Sequence, residues 1–514
     1  MCEIKCQRTL QGNDYQISVG HEVSVTGKQL VVILITAVAA ITICSKSSPI
    51  YPFNDWVDSN CFMTVGKSML RGVVPYRDLY EQKGPLLYML HALTAMVSDT
   101  TFIGVYFLEI FAAASFLFYG YKLMKIYQQS VSILLIPILA AVVYSAESFY
   151  YGDSAEELCL PFFSYAIYLA ARSIKKGKLP TWLEYLAVGV TSAFVLWIKY
   201  SLLGLYIGWF FVIAWQLMRN RDAKKLIYAI FWIGVGVCIT TIPILLYFGM
   251  NHALSDLWTV YFYNNLFSYS TGFNNPFFLA LPKNLLDGIR NVLYQSPFSA
   301  IMIGIGLLTL AKKKDKMELY AYLIMGILTF LLVYGGGRHF RYYAFIFSSF
   351  VPIGILAVYK ILWFHFLDKY RKVRANSFYF RFAPWIICVG SLVFTFVMCN
   401  NTYMLHYNKS DLPQYQFAEI ISQKEDATLL NYGFLDGGFY TTTGIIPNCK
   451  FFCQLNIQLD EIMEMQDEYV QEGWVDYVVT RQKELESDRY NCIARSDCYY
   501  DNTKYEYFLY QLIP

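Results

Sequence analysis

The chain has 514 residues and a mean hydropathy of +0.37, with 56% hydrophobic and only 15% charged residues. Soluble domains carry roughly 25% charged residues, so this composition indicates a membrane protein and excludes a typical nucleic-acid-binding protein. The net charge of +3 is unevenly spread: residues 1–400 carry +13, whereas residues 401–514, with 18 acids and 8 bases, carry −10. The two parts therefore face different surroundings.

The stretch before the first apolar run is polar over 28 residues. At the end of that run, Ile43-Cys44-Ser45 offers neither an A-x-A cleavage site nor a lipidation box. We therefore expect a retained membrane anchor that follows a cytoplasmic segment at residues 1–28.

Apolar runs long enough to cross a bilayer recur along residues 29–400. A membrane helix needs roughly 20 apolar residues, and fewer where flanking side chains reach the interface. The predicted fold class is a polytopic all-α membrane protein of about 11 transmembrane helices, with a small extracytoplasmic α/β domain at residues 401–514. The predicted helices are approximately 29–45, 101–124, 130–147, 158–173, 182–198, 201–218, 226–248, 297–311, 318–334, 343–363 and 384–400.

Basic residues mark every second connection between these helices. Cytoplasmic loops are enriched in Lys and Arg, so these connections and the N-terminus are predicted to be cytoplasmic. The first loop (46–100), the second loop (147–157), the long loop (250–296) and the C-terminal domain are then extracytoplasmic. The basic residues are Lys122 and Lys125; Arg172, Lys175, Lys176 and Lys178; Arg219, Arg221, Lys224 and Lys225; Lys312 to Lys314 and Lys316; and Lys369, Arg371, Lys372, Arg374 and Arg381.

The first outer loop contains two predicted helices. In the first, apolar side chains follow Asp58 at helical spacing and place Asp58 on the inward face. These side chains are Phe62, Val65, Met69 and Val73. The second apolar run, 85–97, is too short and too close to the next span to cross separately, so we expect it to lie along the outer interface.

Asp58 is the candidate catalytic base, because a carboxylate on an inward face is a frequent site of proton transfer. Its alternative role is to cap the helix N-terminus. Asp55, three residues earlier, is the second choice for the base. Arg77, Asp78 and Glu81 are interpreted as ion pairs that order the loop.

Short motifs in this loop carry a family resemblance. Asp58 stands eleven residues before Met69-Leu70, and Gln82-Lys83-Gly84-Pro85-Leu86 precedes the second helix. The arrangement resembles that of GT-C-fold membrane glycosyltransferases that use polyprenyl-phosphate sugars, especially protein O-mannosyltransferases and lipid A aminoarabinose transferases. Those enzymes show an E-K-P-P-L-like motif, in which Gln82 here takes the place of the Glu, with Glu81 one residue earlier. The resemblance implies that Asp58 is the catalytic residue and Lys83 the contact to the donor phosphate; snorkelling to headgroups is the alternative for Lys83.

A second basic group follows the glycines at 335–337. Arg338, His339 and Arg341 lie on the predicted outer side, against the positive-inside bias, and glycines allow close backbone approach. This pattern favours anion binding over solvation. We predict that Lys83, Arg338 and Arg341 converge on one lipid phosphate.

Further candidates lie in the other outer segments. GT-C relatives often place a second acid in the second loop, where Asp153, Glu156 and Glu157 would serve a divalent cation or the acceptor; a solvated acidic loop is the alternative. Lys199 is another outer cation, and snorkelling accounts for it equally well. The amphipathic segment 257–266 of the long loop is a candidate lid over a lipid chain.

The C-terminal region alternates helix-like and β-rich stretches, as in a small α/β domain. The predicted helices are 413–423 and 459–471, and the predicted strands are 428–432, 477–480 and 505–512. Four cysteines in this region leave a disulfide, a zinc site and free thiols open. They are Cys449, Cys453, Cys492 and Cys498.

The predicted function is transfer of a sugar from a polyprenyl-phosphate donor to an extracytoplasmic glycan or lipid-linked acceptor, in a bacterial plasma membrane. Such a transfer needs a base for the acceptor hydroxyl and cations for the leaving phosphate. Inversion is implied by the resemblance; the residues demand no cofactor, and a divalent cation stays open. The partners are the donor, the acceptor and membrane lipids, without nucleic acid.

Two other classes of protein share these features. A transporter or flippase of lipid-linked glycans would carry ionisable residues or broken helices near the bilayer midplane. A glycan polymerase or ligase would share the outer site and differ only in its donor.

Overall fold

The computed structural model describes residues 24–219, 221–268, 277–362, 378–457, 459–500 and 503–514. Parts of the sequence predictions lie outside these ranges, namely residues 1–23 of the N-terminal segment, 269–276 of the long loop and 363–377 of the fifth basic connection. The described residues include at least part of each predicted span.

Fifteen α-helices precede the C-terminal domain in the described part of the chain. Two further stretches form other types of helix, a π-helix at Trp258–Ser268 and a 3₁₀ helix at Arg341–Phe350. The α-helices are α1 (Gly27–Cys44), α2 (Val57–Met69), α3 (Pro85–Ala95), α4 (Ile103–Tyr127), α5 (Leu135–Tyr144), α6 (Ala155–Lys176), α7 (Trp182–Lys199), α8 (Gly204–Arg219), α9 (Ala223–Met250), α10 (Leu254–Leu257), α11 (Phe277–Gln295), α12 (Pro297–Ala311), α13 (Met317–Tyr334), α14 (Val351–Leu362) and α15 (Phe378–Met398).

Each of the eleven predicted spans overlaps a helix, but their number as membrane spans is not confirmed. By length and hydropathy, six helices in the described ranges are able to cross a bilayer, or up to eight if two bent helix pairs each count as one span. Some predicted spans coincide with helices that are too short to cross a bilayer on their own. For example, α5 has only 10 residues, about 15 Å of rise, against the roughly 30 Å of a hydrocarbon core.

Three of the basic connections, those after α4, α6 and α12, meet at one end of the bundle. Lys313, between α12 and α13, has its Nζ 4.6 Å from the ring centroid of Tyr127 at the end of α4. Lys313 and Lys175, at the end of α6, both pair with Glu318, at 2.5 and 3.9 Å. Connections that alternate in sequence therefore share one end, as the positive-inside pattern requires.

Both predicted helices of the first outer loop are confirmed, as α2 and α3. They cross closely at Gly66, where a Cβ atom would lie 2.6 Å from the Cβ of His91. Pro85 stands at the first position of α3, where its missing N–H costs no helical hydrogen bond. The close crossing makes the two helices one packed unit.

The long loop is more helical than the sequence analysis anticipated. The amphipathic segment forms α10 and the π-helix, and α11 follows where a loop was expected. The chain bends by 108° between α11 and α12, and Pro297 stands at the start of α12. Several polar residues and Pro282 inside α11 obscure its apolar stripe in the sequence.

The C-terminal domain is the predicted α/β fold. Its helices are α16 (Pro413–Ile421), α17 (Phe439–Thr443) and α18 (Asp460–Glu472), and its strands are β1 (Leu429–Asn431), β2 (Tyr477–Arg481), β3 (Tyr490–Tyr500) and β4 (Thr503–Leu512). The sheet has the order β1-β2-β4-β3, with β1 parallel to β2 and the other pairs antiparallel. Strand β3 was not predicted from the sequence, because it is an edge strand whose residues are mostly solvent-exposed and no apolar face marks it.

This domain docks directly on α2. Thr64 Oγ1 donates a hydrogen bond to Asp436 Oδ2 at 2.7 Å, and Lys67 Nζ donates to the carbonyl oxygen of Tyr440 at 2.5 Å. All four residues are buried, and desolvation lowers the pKa of Lys67 to about 8 even though the Asp436 charge opposes it. The helix that carries Asp58 is therefore held by the C-terminal domain along one face.

Candidate active site

Asp58 lies in the first turn of α2 and faces a cation and a tyrosine. Its Oδ2 accepts hydrogen bonds from Lys83 Nζ at 3.5 Å and from the Tyr342 hydroxyl at 3.0 Å. The side chain is 15% exposed, so solvent and small groups reach it. Trp56, not Asp58, is the N-cap residue of α2. The carboxylate is thus held by Lys83 and Tyr342 and is partly open to solvent, which leaves it within reach of a small group, as a base candidate requires.

Lys83 is held beside Asp58 by its own backbone. The Lys83 N–H donates to Glu81 Oε2 at 2.9 Å, and the Tyr88 hydroxyl of α3 donates to the same carboxylate oxygen. Gly84 then passes so close to α7 that a Cβ atom would lie 2.0 Å from the carbonyl oxygen of Trp197. Glu81 therefore positions the Lys83 backbone. The contacts described for the Glu81 carboxylate are with Lys83 and Tyr88, not with Asp58.

An aromatic wall flanks the acid–cation pair, and the sequence analysis did not single it out. Tyr342 and Tyr343 begin the 3₁₀ helix, and the Trp56 ring meets the Tyr342 ring edge-on at 5.2 Å. The Tyr343 ring in turn meets the Tyr342 ring edge-on at 5.2 Å between centroids. The sequence signal was the pair of tyrosines directly after the basic segment.

Lys199 packs against the aromatic side chains of this wall. Its Nζ lies 2.5 Å from Glu156 Oε1, with 11% of the lysine and 0% of the glutamate side chain exposed. The same Nζ lies 3.6 Å from the ring centroid of Tyr343. The snorkelling interpretation of Lys199 is therefore wrong, because its ammonium is directed inward to a buried carboxylate.

The acids of the second loop are buried, so the alternative of a solvated acidic loop is wrong. Asp153 accepts from Ser59 of α2 and from His91 Nε2 of α3, the latter at 2.9 Å. Its own N–H donates to Glu109 Oε1 and Glu157 Oε2, at 2.9 and 2.8 Å. Asp153 therefore joins both helices of the first loop to α4 and α6.

His91 is the hydrogen-bond partner of Asp153 in this cluster. Its Nδ1 lies 2.9 Å from the Leu87 carbonyl oxygen, and its Nε2 lies 2.9 Å from Asp153 Oδ2. Desolvation lowers the pKa of His91, but the charge and hydrogen bond of Asp153 outweigh it and raise the pKa overall. Among the described residues, no group of three His, Cys, Asp or Glu side chains is arranged to hold a metal ion.

Asp55 is committed to another partner. Its Oδ1 lies 2.5 Å from Lys46 Nζ, and the two side chains are 2% and 0% exposed. The Lys46 ammonium also donates to the Tyr403 hydroxyl and lies 3.7 Å from the ring centroid of Tyr151. The geometry therefore gives Asp55 a structural ion pair and leaves Asp58 as the accessible carboxylate.

The described contacts of two remaining candidates, Arg341 and His339, are with other residues than Asp58. Arg341 pairs with Glu147 at 3.8 Å, with both side chains about half exposed. His339 stacks on Tyr334, and its Nε2 donates to the Asn284 carbonyl at 3.0 Å.

Asp78 pairs with Arg77 at 2.7 Å on the surface and accepts from the Val74 N–H at 2.8 Å, as expected for loop-ordering residues. Of the predicted anion-binding residues, Lys83 contacts Asp58 at 3.5 Å, and its convergence with Arg338 and Arg341 on one anion stays a prediction.

A helical bundle, two packed helices after its first helix and a small α/β domain docked on them form an architecture similar to that of ArnT, a protein of the GT-C fold. A crystal structure of ArnT from Cupriavidus metallidurans bound to undecaprenyl phosphate is similar with a TM-score of 0.58 and 11% identity, over 95% of this chain and 98% of that chain. ArnT is a lipid A aminoarabinose transferase. Its apo structure gives a TM-score of 0.55 and 10% identity, over 94% of this chain and 97% of that chain.

This likeness confirms the predicted resemblance at the level of the fold. No family model matches the chain, and no curated protein matches its sequence.

Proposed function

We propose that this protein is an integral membrane glycosyltransferase that moves a sugar from a polyprenyl-phosphate donor to an extracytoplasmic glycan or lipid-linked acceptor. The observation that carries the proposal is the contact of Asp58 with Lys83 and Tyr342, a partly exposed carboxylate beside a cation. The GT-C fold and the undecaprenyl phosphate bound by ArnT support it. The basic end of the bundle is proposed to face the cytoplasm, which puts the N-terminus inside and the C-terminal domain outside.

The proposed reaction needs a base and an anion site at neighbouring positions. The acceptor hydroxyl attacks the anomeric carbon, the bond from that carbon to the phosphate oxygen breaks with its electron pair going to the phosphate, and Asp58 takes the hydroxyl proton. Lys83, with Arg338, stabilises the charge of the leaving phosphate. Direct displacement of this kind inverts the anomeric configuration.

The ion pair between Lys83 and Asp58 gives the site a simple order of events. Without donor, the lysine occupies the carboxylate at 3.5 Å. A lipid phosphate competes for the lysine ammonium, because charge-assisted hydrogen bonds to phosphate are strong. Asp58 is then released to accept a proton, so the base becomes available when the donor is bound.

An apolar cavity near this site suits the prenyl chain. It measures about 350 Å³ and lies between α11, α12, α13 and the 3₁₀ helix. Phe347 in its lining stacks on Tyr334 at 6.2 Å between ring centroids, and Tyr334 meets Tyr343 at 6.4 Å. One aromatic path therefore leads from the cavity to the wall beside Asp58, as a lipid with a polar head at one end requires.

The phosphate contact is tested by replacing Lys83 with methionine. A hydrogen bond between charged groups contributes about 1.5–3 kcal/mol, so we expect Lys83→Met to weaken binding of undecaprenyl phosphate about 10- to 100-fold. Arg338→Gln should change binding in the same direction. The measurement is titration of the purified protein with undecaprenyl phosphate in nanodiscs, with inorganic phosphate as the competitor without a lipid chain.

Arg77→Gln is the matched control, because Arg77 is a 41% exposed cation of the same loop that pairs with Asp78. It should bind undecaprenyl phosphate as the wild type does. Unchanged binding by Lys83→Met and Arg338→Gln would overturn the phosphate role. Equal competition by inorganic phosphate and by the lipid would argue against a lipid-linked donor.

The chain contact is tested by filling the cavity with Gly326→Leu. A Cβ atom on Gly326 meets only the Phe350 ring, at 3.9 Å, so the substitution is tolerated and its side chain occupies the cavity. Excluding two or three prenyl carbons at about 0.8 kcal/mol each should weaken undecaprenyl phosphate binding about 10- to 50-fold. A two-isoprene phosphate, too short to fill the cavity, should lose much less.

Gly304→Leu, on α12, is the control because a Cβ there meets nothing within 4 Å. It adds the same side chain outside the cavity lining and should leave the affinities for the long and the short prenyl phosphates unchanged. If Gly326→Leu and Gly304→Leu bind the long and the short phosphates equally well, the prenyl chain does not occupy this cavity.

A further inference from the structure

Two buried thiols face each other where the C-terminal domain docks on α2. Cys61 Sγ lies 3.7 Å from Cys453 Sγ, and each residue is only 1% exposed. The two cysteines stand 392 positions apart in the chain. Cys61 lies one turn after Asp58 on the same helix. The thiols therefore meet at the contact between the candidate catalytic helix and the C-terminal domain.

The geometry disfavours a disulfide between two of the four cysteines of the C-terminal domain, Cys492 and Cys498. Cys492 and Cys498 lie on the same strand, β3, six residues apart. At about 3.3 Å per residue their Cα atoms are roughly 20 Å apart, whereas a disulfide needs Cα atoms within about 7 Å. Cys453 has its closest described sulfur partner outside the domain, in Cys61.

We propose that Cys61 and Cys453 form a disulfide that fastens the C-terminal domain to α2. The proposal rests on the proposed extracytoplasmic position of both residues, since that side of the membrane permits disulfides. An S–S bond of about 2.0 Å requires the two sulfur atoms to approach by less than 2 Å, a movement available to two side chains already in contact.

The oxidation takes place by thiol–disulfide exchange with an extracytoplasmic dithiol oxidase. One cysteine thiolate attacks the disulfide of the oxidase and forms a mixed disulfide; the second thiolate then displaces the oxidase. Cys61 and Cys453 lose two electrons and two protons in total, and the oxidase leaves as a dithiol. Burial raises the pKa of both thiols in the docked state, so the bond forms during folding, before the domain closes over them.

The consequence of this bond lies in the placement of Asp58. Thr64 and Asp436 already join α2 to the domain by a buried hydrogen bond at 2.7 Å. A covalent bond one turn from Asp58 keeps that contact closed when the domain fluctuates. It also restricts the unfolded chain, which stabilises the folded state.

The test is peptide mapping of the full-length wild-type protein from membranes. Free thiols are blocked by N-ethylmaleimide in denaturant at lysis, and the digest is analysed without reduction. We expect one pair of peptides joined through Cys61 and Cys453. Mapping is needed in place of thiol counting, because Cys44 and Cys399 are also adjacent. Recovery of Cys61 and Cys453 as separate blocked peptides would overturn the proposal.

Variants separate this proposal from the proposed function. Cys449→Ser should keep the joined peptides, and Cys453→Ser should lose them. A reducing agent should lower the Tm of the wild type and leave that of a Cys61→Ser/Cys453→Ser variant unchanged.

A reporter that is active only in the cytoplasm, fused after Pro514, should stay silent. A silent reporter with free thiols refutes the disulfide alone, whereas an active reporter refutes the orientation, the disulfide and the proposed function together.

Discussion

Replacing Asp58 with asparagine is expected to lower the rate of sugar transfer by about 10²- to 10⁴-fold, the usual effect of removing a general base. Asparagine keeps the size of the side chain and can still accept the hydrogen bond of the Tyr342 hydroxyl. The start of α2 is unaffected because Trp56 is its N-cap. The measurement is transfer of radiolabelled sugar from the lipid-phosphate donor by purified protein, together with the Tm.

Donor binding distinguishes a base from a binding residue in this experiment. Lys83 loses its carboxylate partner in Asp58→Asn, so undecaprenyl phosphate should bind as tightly as to the wild type or more tightly. Asp78→Asn is the control, since that carboxylate lies on the surface of the same loop in a pair with Arg77. Full transfer activity of Asp58→Asn would remove Asp58 from the reaction.

The local features of the site could be predicted from the sequence because they depend on short-range patterns. Helical spacing after Asp58 predicted α2 and the inward face of the carboxylate, and the proline at residue 85 marked the start of α3. Lys83 was identified by its motif, and the structure brings it within 3.5 Å of Asp58.

The partners of the buried acids could not be predicted, because they come from distant parts of the chain. Glu156 pairs with Lys199, 43 residues later, and the interaction between Asp153 and His91 spans 62 residues. An acidic segment that is solvated and one that is buried with cations have the same local composition. Only the packing of α3, α6 and α7 distinguishes them.

Secondary structure was missed where the apolar pattern is weak. Strand β3 is an edge strand with mostly exposed residues, and α11 turns the polar Asn291 toward the bundle while Leu279 and Leu293 are exposed, so no apolar face marks its contact. The predicted number of eleven spans is not confirmed, for a related reason. Hydropathy identifies apolar helices, but some of these are buried within the bundle and too short to cross a bilayer.

The second large effect is expected on stability, in Asp55→Asn. The substitution leaves the ammonium of Lys46, whose side chain is 0% exposed, without its carboxylate at 2.5 Å. Breaking a buried ion pair from one side typically costs about 3–5 kcal/mol, because the remaining charge stays desolvated. The Tm in detergent should therefore fall markedly, while the protein that remains folded should still transfer sugar through Asp58.

Two further variants make the Asp55 result specific. Adding Lys46→Met to Asp55→Asn removes the buried ammonium that has lost its carboxylate and should recover most of the lost stability. Asp78→Asn breaks the exposed pair with Arg77 and should change the free energy of unfolding by about 1 kcal/mol or less. If Asp55→Asn instead melts like the wild type and loses transfer activity, the base is Asp55, and the ion pair with Lys46 belongs to catalysis.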